Sequence, residues 1–198
     1  MNIIEKALQE LERRIEGSGV EDGHVNLRVD PGADTCNYEH GACMVATFGG
    51  RSADFVTHEP TRAETRLRFM FGPRADNDTI RAAISAVINS VTGFLCINRV
   101  RHSCARDCRG PCLEELREAL KGERVFILRD SPVLLREFSH QVRNSTDDAD
   151  RILVMGQGLE SGIELPDGTD GKVLCIGPST SGVASLLNIP HWCPYGRL

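Results

Sequence analysis

Short apolar strands alternate with helical segments in the last third of the chain, and this order restricts the possible folds more than any other feature. Each strand candidate is a run of four or five mainly apolar residues. The first is followed by Ser131 and Pro132, a capping residue and a proline suited to the first turn of a helix. Strands that are apolar on both faces and joined through helices are typical of parallel sheets. We therefore predict a three-stranded, half-Rossmann-like α/β unit over residues 123–198, with strands at residues 124–128, 152–155 and 173–176, a helix from residue 132 that extends to Val142, and a final helix at residues 180–187.

The first 95 residues are predicted to form an α+β half. Residues 3–16 place Ile4, Leu8 and Leu11 on one face of an amphipathic helix. Gly49-Gly50 between two strand candidates suits a tight hairpin. The pattern predicts a small antiparallel sheet from strands at residues 24–29, 43–48, 53–57 and 65–71.

A second helix is predicted behind Asp76-Asn77-Asp78, which supplies capping side chains. Apolar residues recur at helical spacing from Ile80 to Val91, and the other positions include alanine and serine. A helix that is apolar on most faces is a buried one. This helix should form a rigid support that leads directly into a cysteine-rich segment beginning at Cys96.

Composition limits the classes of function. The chain has 198 residues, enough for one large domain or two small ones. Its net charge of -5 argues against a general nucleic-acid-binding protein. No run of about 18 apolar residues is present, so no membrane span is expected. Eight cysteines without a secretory apolar segment indicate a reducing, cytoplasmic location, where thiols serve metal ligation or catalysis rather than disulfides.

Residues 96–122 are predicted to form a cysteine-rich loop and a helix. If Cys104 and Cys112 lay on one continuous helix, they would be about 12 Å apart. That separation is too large for thiolates that share a metal, whose bonds to sulfur are about 2.3 Å long. Because Gly110-Pro111 permits a turn, we expect the thiols of Cys104, Cys108 and Cys112 to converge.

This spacing predicts a site for zinc or an iron–sulfur cluster, since both take soft sulfur ligands. The primary candidate ligands are Cys96, His102, Cys104, Cys108 and Cys112. A second group could complete that site or form another, and consists of Cys36, His40, Cys43 and Cys193. The spacing is not that of a common zinc ribbon or ferredoxin, so the alternative is a set of reduced thiols without a metal.

Two glycine-rich turns follow predicted strands. Backbone amides at the start of a helix carry partial positive charge and bind anions. If the two strands are neighbours, both turns line the crevice in which open α/β sheets bind ligands. We expect a small anionic ligand there, held by Gly156, Gly158, Gly177, Ser179, Thr180, Ser181 and Gly182. Ordinary helix capping is the alternative explanation for the hydroxyls.

The sequence thus predicts a metal- or cluster-binding protein with a small anionic ligand, either an enzyme or a metal or cofactor maturation factor. It identifies no catalytic residue. An alternative from another class is a zinc-stabilised interaction module that contacts RNA or a protein through Arg99, Arg101, Arg106 and Arg109, although an acidic chain disfavours nucleic acid.

Overall fold

The antiparallel half begins with a capped helix and continues as a sheet. A computed structural model describes residues 2–71, 75–129, 131–166 and 168–198. The Asn2 side chain accepts a hydrogen bond from Glu5 N, and the Glu5 side chain accepts one from Asn2 N, which closes a capping box. The elements of this half are α1 (Ile3–Ile15), β1 (His24–Asp30), β2 (Ala42–Phe48), β3 (Arg51–Thr57), β4 (Ala63–Arg66) and α2 (Asp78–Phe94). The four strands have the order β3-β2-β1-β4, all antiparallel.

The second half is a parallel sheet with helices, which confirms the predicted α/β class. Its elements are α3 (Arg109–Ala119), β5 (Val125–Leu128), α4 (Pro132–Glu137), β6 (Arg151–Val154), α5 (Gly156–Glu160), β7 (Val173–Ile176), α6 (Ser181–Leu187) and β8 (His191–Trp192). The strands have the order β5-β6-β7-β8, and every neighbouring pair is parallel. The sheet therefore has four strands rather than three, because the tail adds β8 at its edge. The predicted helix from residue 132 ends at Glu137 and does not reach Val142.

The glycine hairpin between β2 and β3 forms as predicted. Gly49 and Gly50 have φ angles of 53° and 76°, and Phe48 pairs with Arg51 across the turn. Positive φ at both central residues is what a two-residue hairpin turn requires.

The strand predicted over residues 65–71 is wrong for most of its length. β4 ends at Arg66, and Leu67–Met70 forms a 3-10 turn. Arg66 pairs with His24, the first residue of β1, so no partner strand continues beyond that point. Leu67 is buried while Phe69 is 63% exposed, so the alternating apolar residues do not share a buried face.

Helix α2 is the buried helix that the sequence predicts. Asn77 Oδ1 caps it by accepting a hydrogen bond from Ile80 N at 2.9 Å. Every residue from Arg81 to Gly93 is buried. α2 contacts β2 and β3 as well as α5 and α6, so it joins the antiparallel half to the helices of the parallel half.

Both faces of the parallel sheet are covered. Ile152 and Val154 of β6 belong to the core shared with α1, α2 and the antiparallel sheet. Leu153, between them, points into a second core with Leu116 of α3 and Phe138, which follows α4. Burial on both faces explains why the sequences of these strands are continuous runs of apolar residues. In the described part of the chain, no helix is long and apolar enough to cross a membrane.

Candidate functional site

The two glycine turns lie side by side at the carboxyl edge of the parallel sheet. β6 and β7 are parallel neighbours, as predicted, and Gly156 and Gly177 stand just beyond their ends. β8 adds the chain tail to the same edge, since Gly177 N donates a hydrogen bond to Trp192 O at 3.0 Å. This edge is where open parallel sheets carry their ligand sites.

Glu39 is buried against both turns and is only 2% exposed. Its Oε1 accepts a hydrogen bond from Gly156 N at 3.2 Å, and a Cβ atom placed at Gly177 would lie 3.4 Å from its Cδ. Burial raises the pKa of Glu39 to about 8, although hydrogen bonds from Ser179 and Gly156 act in the opposite direction. Its other oxygen, Oε2, has no hydrogen-bond partner among the described residues. A buried carboxyl group with one unsatisfied oxygen is rare and needs an explanation.

Two cysteines accompany Glu39 at the Gly177 turn. A Cβ atom placed at Gly177 would also lie 3.4 Å from Cys36 Sγ, and Cys193 directly follows β8. Burial raises the pKa of both thiols, and the Glu39 carboxylate is the next contribution in each case. The charge of Cys193 also raises the pKa of Cys36, so the two thiols lie within electrostatic reach of each other.

Two further cysteines approach from the cysteine-rich segment. The Tyr38 hydroxyl donates a hydrogen bond to Cys112 Sγ at 3.4 Å, and both residues are buried. Burial, then the charge of Cys112, raises the pKa of Cys104. Cys104 in turn contributes to the raised pKa values of Cys36 and Cys193. We call Cys36, Cys104, Cys112 and Cys193 the cysteine cluster.

Most of the unsatisfied buried polar atoms belong to residues that are close to a cysteine in sequence. Among the described residues, five buried side-chain nitrogen or oxygen atoms have no hydrogen-bond partner. Only the hydroxyl of Ser85, inside α2, is remote in sequence from every cysteine. The other four lie next to a cysteine or three residues from one: Glu39 Oε2, Ser103 Oγ, Arg109 Nε and Trp192 Nε1. Buried polar groups normally have hydrogen-bond partners, and these four atoms have none among the described residues.

The path of the chain from Cys104 to Cys112 differs from the predicted fold-back. α3 begins at Arg109, and Gly110-Pro111 lies in its first turn instead of forming a sharp bend. Proline fits there because the first amides of a helix have no intrahelical acceptor. A 3-10 turn at Arg106–Cys108 leads directly into α3. Cys108 affects the pKa of Cys104 but is more exposed than Cys112.

The remaining predicted ligands have other surroundings. Cys96 is exposed just beyond α2, and His40 is exposed while its carbonyl accepts a hydrogen bond from Gln157. His102 Nδ1 lies 3.0 Å from Asp54 Oδ1. Cys43 lies in β2, where burial and then the charge of Asp54 raise its pKa to about 12.

The hydroxyls expected to hold an anion have protein partners. Ser179 Oγ accepts a hydrogen bond from Val56 N at 3.0 Å, Thr180 Oγ1 donates one to Gly177 O, and Ser181 Oγ lies 2.7 Å from Pro178 O. The amide of Gly182 donates to Asn89 Oδ1 at 2.8 Å. Gly158 lies inside α5, close to Leu128 O. No side-chain capping hydrogen bond is present at the start of the 3-10 turn or of α6, so contacts with β3, α2 and nearby carbonyls, and not helix capping, account for these groups.

The arginines of the cysteine-rich segment are mostly engaged within the molecule. Arg106 pairs with Asp34 at 2.8 Å, and Arg109 donates a hydrogen bond to Thr35 O at 2.8 Å. Both therefore tie this segment to the loop that carries Cys36. Arg101 packs over Gly93 of α2, and Arg99 is exposed.

The candidate ligand side chains are not arranged in a metal-coordination geometry in the described structure. In the described ranges, no group of three or more histidine, cysteine, aspartate or glutamate side chains is positioned to hold a metal ion. All eight cysteines are free thiols. A metal held by the cluster would therefore require side-chain rotation between staggered rotamers.

Glu39 and Tyr38 are site residues that the sequence does not single out. Both stand between Cys36 and Cys43, and this position beside a candidate ligand is the only signal. Glu39 is buried against the Gly156 turn, and Tyr38 is buried against Cys112 and Ser131. These contacts join residues far apart in the chain, which no local pattern encodes.

Comparisons with known proteins add little. Neither the family models nor the curated proteins give a match. Among solved structures, the chain is similar to a protein of unknown function from the DUF364 family of Pyrococcus horikoshii, with 15% sequence identity and a TM-score of 0.41. The alignment covers 89% of this chain and 78% of that chain. A similarity at this level supports no conclusion about function.

Proposed function

We propose that this chain binds a metal ion or an iron–sulfur cluster through cysteine thiolates at the carboxyl edge of the parallel sheet. The observation that supports the proposal is that thiols from separate parts of the chain lie within electrostatic reach of one another and of buried Glu39, one of whose oxygens lacks a hydrogen-bond partner. Soft thiolate ligands suit zinc and iron–sulfur clusters.

Burial determines the protonation state of these thiols when no metal is bound. Burial raises the pKa of Cys193 to about 12, and the pKa of Cys36 is also raised, so both thiols are protonated at neutral pH without a cation nearby. A bound metal stabilises the thiolate form, and binding then releases protons. Metal affinity should accordingly increase with pH.

The arginine-mediated alternative has weaker support. Contacts with RNA phosphates need free guanidinium groups, whereas Arg106 and Arg109 are bonded to residues of the neighbouring loop. The small anionic ligand at the Gly177 turn stays a prediction, because the hydroxyls there have partners within the protein.

Metal analysis of cysteine variants tests the proposal. The wild-type chain is purified without oxygen, and its zinc, iron and sulfide contents are measured per chain. We expect Cys104→Ser and Cys36→Ser to lose most of the bound metal, because each removes one thiolate of the cluster.

Cys96→Ser is the matched control, because this cysteine is exposed and remote from the cluster contacts. It should keep the metal content of the wild type. A wild-type chain that contains no metal and binds neither added zinc nor iron and sulfide contradicts the proposed function.

A further inference from the structure

We propose that this chain binds a small zwitterion, of the class of a free amino acid, in a polar cavity to which both halves contribute. The cavity has a volume of about 240 Å³ and contains none of the four cysteines of the cysteine cluster. The inference therefore does not depend on the proposed metal site. The residues that line the cavity are His58, Glu59, Asp78, Arg129, Gln157 and Glu160.

The cavity lies at the edge of the parallel sheet where open α/β sheets bind ligands. Arg129 directly follows β5, and Gln157 and Glu160 belong to α5, which begins just beyond β6. β5 and β6 are parallel neighbours, so these residues come from the carboxyl ends of adjacent strands. The antiparallel half supplies His58, which follows β3, and Asp78, at the start of α2. A ligand bound here would contact both halves.

Glu160 gives this cavity a buried carboxyl group. The residue is only 4% exposed, and its Oε2 accepts a hydrogen bond from the Thr57 hydroxyl at 2.5 Å. Burial raises its pKa, while the hydrogen bond from Thr57 and the charge of His58 act in the opposite direction. Among the described residues, no lysine or arginine forms an ion pair with this carboxylate. Buried carboxylates are normally paired with a cation, and a ligand ammonium group would provide one.

Arg129 gives the same cavity a positive charge that is only loosely engaged. In the described part of the chain its one ion pair is with Asp78 Oδ2, at 3.5 Å. The other oxygen of Asp78 lies 2.5 Å from Nη2 of Arg81, so Arg129 shares an already neutralised carboxylate. Arg129 also has a φ angle of 68°, which is uncommon for a residue other than glycine. Its guanidinium group can bind a ligand carboxylate through two parallel hydrogen bonds.

The two charges together select the class of ligand. Arg129 and Glu160 line one cavity, but they form no ion pair with each other. A ligand with only a negative charge would leave Glu160 unpaired and would be repelled by Glu59 and Asp78. A ligand with only a positive charge would leave Arg129 without a new partner. The volume is below the range of about 300–1,000 Å³ that is usual for drug-sized ligands, which restricts the zwitterion to a small one.

Calorimetric titration of the full chain with the common free L-amino acids tests the inference. We expect saturable binding of at least one of them. Succinate and 1,4-diaminobutane serve as comparison probes, because each carries only one of the two kinds of charge. Each should bind about 10–100-fold more weakly than the best amino acid, since each lacks one charge-assisted interaction.

Arg129→Gln and Glu160→Gln test the two ends of the ligand separately. Glutamine at position 160 keeps an oxygen that accepts from the Thr57 hydroxyl, so the change removes the charge and little else. Each variant should bind the best amino acid about 10–100-fold more weakly than the wild type. Only Glu160→Gln should also weaken the binding of 1,4-diaminobutane, and only Arg129→Gln that of succinate.

Arg99→Gln and Glu64→Gln are the matched controls. Both residues are exposed and neither lines the cavity, so both variants should bind the amino acid with wild-type affinity. Arg129 is itself exposed, so its variant should fold and keeps the test decisive if Glu160→Gln is unstable.

Three results would overturn the inference. One is a wild-type chain that binds none of the amino acids saturably. Another is equal affinity of the wild type, Arg129→Gln and Glu160→Gln for the amino acid. The third is 1,4-diaminobutane binding as tightly as the best amino acid, which would make the cavity a site for simple cations. The metal content of Arg129→Gln should equal that of the wild type, so failure of the metal proposal is measured independently.

Discussion

Glu39 is an acidic side chain buried in the protein interior, where its charged form is disfavoured. At neutral pH its protonated form is favoured in the metal-free chain, because burial raises its pKa to about 8. In the unfolded chain the same group is an ordinary, ionised glutamate. The folded and unfolded states therefore bind different numbers of protons over several pH units.

This difference predicts a pH dependence of stability at the scale of one residue. Stability contributed by protonated Glu39 is fully present below about pH 4.5 and is lost as pH rises toward 8. In metal-free protein, the free energy of unfolding should fall by up to about 1.4 kcal/mol per pH unit in this window. Chemical denaturation at a series of pH values measures it, and Glu39→Gln should show a flatter slope. Parallel slopes for the two proteins would contradict the prediction.

At this scale the sequence indicates which residue types belong to the site but not which residues meet. Cys104 and Cys112 stand out because they are close in sequence, and both lie in the cysteine cluster. Cys36 and Cys193 are separated by most of the chain, so their proximity depends on how β8 and the Gly177 turn assemble. Cys96, which opens the same segment, is exposed beyond the end of α2 and is not part of the cluster.

At the scale of elements, α2 is held to the Gly177 turn by a polar residue inside an apolar helix. Asn89 is fully buried, and its Nδ2 donates a hydrogen bond to Ser179 O at 2.8 Å while its Oδ1 accepts one from Gly182 N. Its side chain thus joins the helix that supports the antiparallel half to the turn at the candidate site.

Removing this connection should be costly. Asn89→Ala leaves a buried amide and a buried carbonyl without partners, each at about 1–3 kcal/mol, so we expect a loss of about 2–6 kcal/mol. Ser85→Ala is the matched control on the same helix, because the Ser85 hydroxyl is buried without a partner and its removal should be neutral or stabilising. Urea denaturation measures both. Similar losses for the two variants would mean that cavities, and not hydrogen bonds, determine the effect.

Helices and strands are predicted correctly where the local sequence pattern determines them. They are predicted wrongly where a strand depends on whether a neighbouring strand is available to pair with it. α2 and the Gly49-Gly50 hairpin follow from their own residues. β8 is only two residues long and becomes a strand because β7 stands beside it. The strand expected through Phe71 stops at Arg66 because β1 offers no further partner.

At the scale of the whole molecule, one core extends through both halves. It includes Leu11 of α1, Phe55 of β3, Ile88 of α2, and Val154 and Cys175 of the parallel sheet. The cysteine cluster lies at the edge of this assembly, where the loop with Cys36, the start of α3 and the tail come together. A core that is continuous across the halves should unfold as a unit, whether or not the edge holds a metal.

The final prediction concerns metal removal. We expect chelator-treated protein to unfold in one cooperative transition, at lower temperature than the metal-loaded protein. At a free metal concentration 100 times the dissociation constant, binding adds about 2.7 kcal/mol if the unfolded chain binds none, and less because unfolded thiols compete. Calorimetry of both forms, with Cys104→Ser as a chain that binds little metal, measures this difference. Two separate transitions in the stripped protein would show that the halves fold independently, with the metal site as their connection.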